Sequence, residues 1–185
     1  MSETKKKLEP EVDAEKKLQE IEESPVMAEW ENSESVNLSL PYGCVINGWL
    51  HDDTMGVVLP ELFVPEELRG HGLGMRLVKA LTVLAKDNGA KLLDSSIVSP
   101  AGLRNREKVF GQDSLEFRGG HLGYISTLPL SVDQGLMTLN RIDERRKRDG
   151  SHVDDGLGLY VRVHLDKIDT TGWERPVEVP EDPFV

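Results

Sequence analysis

The chain has little cysteine, no long apolar run and no internal repeat, and each shortage removes a class of protein. One cysteine, Cys44, in 185 residues rules out an intramolecular disulfide and favours a reducing compartment. It reads as a small buried apolar residue rather than a nucleophile. No apolar stretch is long enough to span a bilayer. The first residues, MSETKKKLEPEVDAEKKLQEIEES, lack the apolar core of a secretory signal, so the expected location is cytoplasmic. Histidines and carboxylates nowhere fall at metal-ligand spacing.

Charge of one sign is scarce too. Lys and Arg number 22 against 33 Asp and Glu, a net charge of -11, which argues against nucleic acid as a partner and favours a cationic or neutral one. The basic run Arg145-Arg146-Lys147-Arg148 follows Asp143 and Glu144 and precedes Asp149. It reads as a solvated helix end rather than a phosphate site.

What is present is one domain with decoration. Residues 1–24 carry mixed charge, with Leu8, Val12, Leu18 and Ile21 only loosely at helical spacing, and read as a tail or marginal helix. Val36 to Leu40 alternates at period two and is broken by Pro41-Tyr42-Gly43. Cys44 to Leu50 and Gly56 to Leu59 read as further strands, with His51 to Thr54 as the turn between them. From Leu73 the period changes: Leu73, Leu77, Leu81 and Leu84 share a helical face, ended by Asn88-Gly89. Lys91 to Val98 is extended again, so strand, glycine loop, helix and strand form a βαβ unit with parallel strands. Ser99-Pro100 opens a short helix ending near Phe110-Gly111. A strand at Ser114 to Phe117, a polar excursion over 119–156 holding a helix near Leu136 to Ile142, and a strand at Leu157 to Leu165 complete the order. An insertion of that length is either functional or disordered. The domain thus spans 25–166, and 167–185 reads as a C-terminal tail.

The chemistry concentrates in Arg69-Gly70-His71-Gly72-Leu73-Gly74. Three glycines at alternate positions need a reason, either a turn or a ligand close to the backbone. The N–H groups opening a helix lack intrahelical partners and share the positive end of its dipole, so a side-chain-free loop there suits a pyrophosphate. No Lys-Ser or Lys-Thr follows Gly74, which removes the P-loop, and the spacing is not the dinucleotide fingerprint.

The run from Leu62 to Gly74 resembles the coenzyme A signature of the GNAT superfamily of N-acetyltransferases, Arg or Gln followed by x-x-Gly-x-Gly/Ala. The resemblance covers roughly Val36 to Phe117, with the last strand completing the order. It implies an α/β (α+β) fold: a mixed, mostly antiparallel sheet flanked by helices, with a parallel pair splayed at the cofactor. It also implies acetyl-CoA as cosubstrate. Leu62, Phe63 and Val64 would offer backbone groups to the pantetheine, and Arg69, Gly70, His71, Gly72, Leu73 and Gly74 would wrap the pyrophosphate, with His71 towards solvent or the adenosine end.

The family commonly opens the short helix with Asn and places Tyr near its end. Here that register holds Ser99, Gly102 and Arg106-Glu107-Lys108. Ser99 can still hydrogen bond to the cofactor. Arg106 cannot give up a proton at workable pH, which leaves Tyr124 and Tyr160 as substitute acids. Asp94 aligns with an acidic position carried by some protein-amine acetyltransferases of the family, and would orient the amine or pass its proton to water; the competing reading is a carboxylate that bridges a neighbour. Glu61, beside the cofactor strand, ranks below it. The expected activity is direct acetyl transfer from the thioester to an amine on a small molecule or protein, the chain being free to form oligomers. Its rivals are a coenzyme A-binding or interaction module without catalysis, and a nucleotide-binding module using the same loop.

Overall fold

The computed structural model describes residues 8–97, 100–121, 124–125, 130–149 and 158–179. The elements begin with helix α1 (Leu8–Glu23), strands β1 (Met27–Trp30), β2 (Ser35–Leu40), β3 (Cys44–His51) and β4 (Thr54–Phe63), and helix α2 (Leu73–Asp87). They continue with β5 (Leu92–Ile97), α3 (Pro100–Phe110), β6 (Leu115–His121), β7 (Tyr124–Ile125), α4 (Val132–Asp149), β8 (Gly158–His164) and β9 (Val177–Glu178). Parallel and antiparallel pairs both occur, so the class is mixed α/β. Two compact units divide the chain: Met1–Leu50 with Val58–Asp87 and Thr170–Val185, and His51–Val57 with Asn88–Asp169. Among the described residues no helix is long and apolar enough to cross a membrane.

In the first unit the strands run β4-β3-β2-β1-β9. The alternation read in β2 is the burial seen: Val36, Leu38 and Leu40 point inward while Ser35, Asn37 and Ser39 do not. A tight turn at Pro41–Gly43, with Tyr42 at φ 62, returns the chain into antiparallel β3. Helix α2 buries Leu73, Leu77, Val78, Ala80, Leu81, Thr82, Val83, Leu84 and Ala85, more than one face, and packs on β2. That is the pattern of a helix covered on several sides.

Both terminal segments hold structure: a helix where the sequence suggests a tail or marginal helix, and a strand where it suggests a tail. Ile21 of α1 is wholly buried. At the other end, β9 lies parallel to β1, with Val177 N–H donating to Val26 O at 2.8 Å and Val179 N–H to Ala28 O at 2.8 Å. Neither β1 nor β9 is anticipated from the sequence, because four and two residues are too few to display a period.

In the second unit β7, β6, β8 and β5 lie in that order, followed by the start of β4. Thr54, Met55 and Gly56 of β4 pair in parallel with Leu92, Leu93 and Asp94, as the βαβ reading requires. Strand β8 is antiparallel to both β5 and β6. One face of these strands buries Leu93, Ser95, Phe117, Leu159, Val161 and Val163. The helices supply Leu103 and Phe110 from α3 and Leu139 from α4, all buried, and α4 packs on β6, β8 and α3. The excursion over 119–156 therefore contains part of the core.

Helix α4 begins several residues earlier than its apolar run suggests, because Ser131 and Gln134 form a reciprocal cap. Ser131 N–H donates to Gln134 Oε1 at 2.8 Å and Gln134 N–H to Ser131 Oγ at 3.2 Å. Gly135 lets the helix approach β8: a Cβ there would meet Leu159 Cδ2 at 3.4 Å. Arg145 to Arg148 lie in the last turns of α4, with Lys147 and Arg148 exposed.

Candidate functional site

The three glycines of the loop have two different causes. Strand β4 ends with Leu62 40% and Phe63 50% exposed, apolar side chains left on the surface. Leu68, wholly buried in the short 3₁₀ turn Glu66–Leu68, anchors the connection. Arg69 folds back, its Nε donating to Val64 O at 3.0 Å. Gly70 and Gly72 adopt φ +87 and +79, and a Cβ on either would meet nothing within 4 Å. They are glycine for backbone reasons and face open space. At Gly74 the reason is packing: its Cβ would lie 3.3 Å from Leu62 Cδ2.

Gly72 O accepts the Met75 and Arg76 N–H groups, both at 3.0 Å, so Gly72 is the residue from which α2 begins. The N–H groups at Leu73 and Gly74 precede the first intrahelical bond and carry the positive end of the helix dipole. Beside them lies a cleft of ≈ 370 Å³ lined by Leu18, Glu22, His71, Gly72, Leu73 and Arg76. Helix α1, read from sequence as a tail or marginal helix, thus supplies one wall.

Arg76 lends little free charge to that cleft. Its Nη1 donates to Ile21 O at 2.8 Å and its Nη2 to Ser24 O at 2.6 Å, capping the end of α1. Nε and Nη2 reach Glu174 Oε2 and Oε1 at 2.6 and 2.9 Å. Glu174 also accepts Val26 N–H at 2.9 Å. One guanidinium therefore joins α1, the start of β1 and the C-terminal segment to the first turn of α2. With Arg76 neutralised and Glu22 acidic, attraction of an anion into the cleft falls to backbone N–H groups and the helix dipole.

The residues proposed for catalysis belong to the second unit. Asp94 on β5 is held in a bidentate pair, Arg162 Nε to Oδ1 at 2.8 Å and Nη2 to Oδ2 at 2.7 Å. The hydrogen bond to Asp94 raises the Arg162 pKa, against an opposing effect of burial. Asp94 is thus a bridging carboxylate in this arrangement, the competing reading of its sequence position. Strand register sets the pair, since Asp94 lies opposite Arg162 and Arg162 opposite Glu116.

Glu116 Oε1 accepts Arg118 Nε at 2.7 Å and is also bonded by Arg118 Nη2, while Glu116 Oε2 contacts His164 Nε2 at 3.2 Å. Burial pushes the Glu116 carboxyl upward, but the hydrogen bonds from Arg118 and His164 outweigh it and hold the pKa below the ordinary value. These side chains form a half-buried polar face opposite the apolar one. Tyr160, half-buried on β8, lies opposite Ser96 on one side and Arg118 on the other, on the same face of the strand as Arg162.

Tyr124 pairs through its backbone with His121; its side chain, the side chain of Glu61 and the whole of Ser99 lie outside the described residues. Cys44 is wholly buried, and desolvation raises its thiol pKa, which suits an inert core residue. Among the described residues no three His, Cys, Asp or Glu side chains gather as metal ligands.

One feature was not legible in the sequence. Arg106 is only 9% exposed, and burial pushes its pKa down to about 10, equivalent to roughly 3 kcal/mol for holding the cation there.

No family model matches the chain, and no curated protein matches it. Among solved structures a match is found to "The crystal structure of Rv2747 from Mycobacterium tuberculosis in complex with CoA and NLQ". The identity is 18% and the TM-score 0.36, over 82% of this chain and 94% of that one. A likeness at that level decides nothing about this chain, whose functional assignment rests on its own loop and strand geometry.

Proposed function

We propose that the chain binds acetyl-CoA and transfers the acetyl group to an amine. The observation that carries this reading is the glycine loop: Gly70 and Gly72 at positive φ with open space where side chains would be, opening directly into α2. A pyrophosphate fits such a loop, taken by the N–H groups that precede the helical ladder. Leu62, Phe63 and Val64 would hold the pantetheine amides through strand backbone. The coenzyme supplies an activated acyl thioester with a stable leaving thiolate, so the chain's own residues need mainly to position a neutral amine.

Asp94 is the carboxylate we assign to that task, through the lone pairs that Arg162 leaves over. Fixed by a bidentate partner, it favours orientation of the amine over proton removal, because both of its oxygens are already engaged by the guanidinium. Tyr160 is our first choice of acid towards the leaving group and Tyr124 our second. The rival, a coenzyme-binding module without catalysis, draws support from the same Asp94–Arg162 pair, which accounts for Asp94 without chemistry.

Acetyl transfer to a panel of amines, followed with Asp94→Asn, separates the two. The expected result is transfer by the wild-type chain and a loss of about ten- to a thousandfold in the variant, with coenzyme A affinity nearly unchanged. Coenzyme A binding without transfer to any amine would favour the module.

A further inference from the structure

The cleft beside the glycine loop takes its lining from three places: Leu18 and Glu22 of α1, His71 and Gly72 of the loop, and Leu73 and Arg76 of α2. Leu62, Phe63 and Val64, the strand end assigned to the pantetheine, are not among these residues. On the coenzyme A reading, with the pyrophosphate on the loop and the pantetheine along β4, the nucleoside end of the ligand is left to the cleft. The size agrees. At ≈ 370 Å³ the cleft lies near the lower end for ligand pockets, about 300–1,000 Å³, which suits one nucleoside rather than a whole coenzyme. Leu18 and Leu73 give it apolar walls.

Coenzyme A carries a phosphate monoester on its ribose 3′-oxygen, and the charges beside the cleft do not suit one. Helix α1 closes with Glu20, Glu22 and Glu23 and has no basic residue in its last turn, so carboxylates coincide with the negative end of the helix dipole. That end is fixed in place. Ile21 is wholly buried, and Arg76 donates to Ile21 O and Ser24 O. Arg76 also binds both carboxylate oxygens of Glu174, which offsets its charge. Glu22 is exposed and lines the cleft, and an ionised carboxylate offers acceptors and no donor. We infer that Glu22 is a specificity-determining residue of this site: it accepts from the hydroxyl and amino donors of an adenosine and disfavours a ribose phosphate. The site therefore takes 3′-dephospho-coenzyme A at least as tightly as coenzyme A. This rests on the coenzyme reading of the loop and adds the part of the ligand that α1 selects.

The test titrates coenzyme A and 3′-dephospho-coenzyme A into the full chain, as wild type and as Glu22→Gln, by calorimetry at low ionic strength, where exposed charges are least screened. The amides of 70–74 are followed by NMR in parallel. In the wild type 3′-dephospho-coenzyme A should bind at least as tightly as coenzyme A. Glu22→Gln keeps the shape and removes the charge, so coenzyme A should bind about two- to fivefold more tightly, the scale of one exposed charge pair. The dephosphorylated ligand should bind equally or more weakly, having lost the carboxylate that accepts from its nucleoside. The wild-type comparison needs no variant to fold. Tighter binding of coenzyme A than of its dephosphorylated form by the wild type overturns the inference, and so does a Glu22→Gln effect equal for both ligands. His71→Gln locates the cause of such a preference: if it removes the preference, the ribose phosphate sits on His71. Failure of the underlying reading looks different, since neither ligand would then shift the amides of 70–74, and the inference would fall with it.

Discussion

Replacing Arg76 by methionine should destabilise the chain by about 3 kcal/mol, because it removes one partner from a part-buried pair and orphans two helix-end carbonyls. Ile21 O and Ser24 O would lose their donor, and Glu174 would be left with Val26 N–H alone. For a chain of this length that corresponds to a fall of roughly 6–12 °C in unfolding temperature. The loss should also have a signature in pH. Glu174 is held below the ordinary carboxylate range, chiefly by the hydrogen bond from Arg76, with burial working the other way and Val26 N–H adding to the depression. A carboxylate depressed in the folded state contributes its stability above its unfolded pKa, about 4.3, and loses it as pH falls through the folded value. The gap between wild type and Glu174→Gln should therefore be widest above about pH 5 and close under acid conditions. Denaturant unfolding at several pH values measures both effects; a gap that does not change with pH would show that the pair contributes by packing alone.

Gly72→Ala should weaken coenzyme A binding by about a hundredfold, the loss of one or two charge-assisted backbone contacts. A methyl group at Gly72 meets no protein atom within 4 Å, so it projects into the space assigned to the phosphates. Its cost to folding is confined to placing an alanine at φ +79, roughly 1–2 kcal/mol. Gly74→Ala tests the other cause. There the added carbon lies 3.3 Å from Leu62 Cδ2, so the first effect should be on the packing of α2 against β4. Calorimetric titration of coenzyme A into folded variants distinguishes a blocked phosphate cradle from a displaced helix. Wild-type affinity in Gly72→Ala would remove the phosphates from this loop.

The parts of the fold visible in the sequence are those whose stability is written locally. Helix α2 shows its period, Asn88-Gly89 its end, and β2 and β8 their alternation, so the strand, loop, helix and parallel strand could be placed from composition and spacing. The capping pair Ser131 and Gln134 was there to be read, and would have started α4 in the right place. Helix α1 could be read only as a tail or marginal helix, because its apolar residues are sparse and its end is satisfied by Arg76, 55 and 52 residues away in sequence from the carbonyls it caps. Strand β9 depends on β1 for its backbone partners, and neither advertises itself.

The same division holds for the candidate site. The loop Arg69 to Gly74 could be recognised, since positive φ and a missing Cβ are properties that glycine alone reports. The partner of Asp94 could not, because Arg162 reaches it only through the register of β5 and β8. Nor does the sequence distinguish Arg106 from its exposed neighbour Arg104: the difference lies in which face of α3 is covered.

Coenzyme A titrated into the isotopically labelled full chain, with each backbone amide followed by NMR, tests the phosphate-loop assignment most directly. The amides of Gly70, Gly72, Leu73 and Gly74 should shift most and saturate together with those of Phe63 and Val64, and ATP should not displace the ligand at comparable concentration. Saturating coenzyme A that leaves the amides of 70–74 unmoved, or that ATP displaces as readily as coenzyme A itself, would contradict a coenzyme A site at the start of α2.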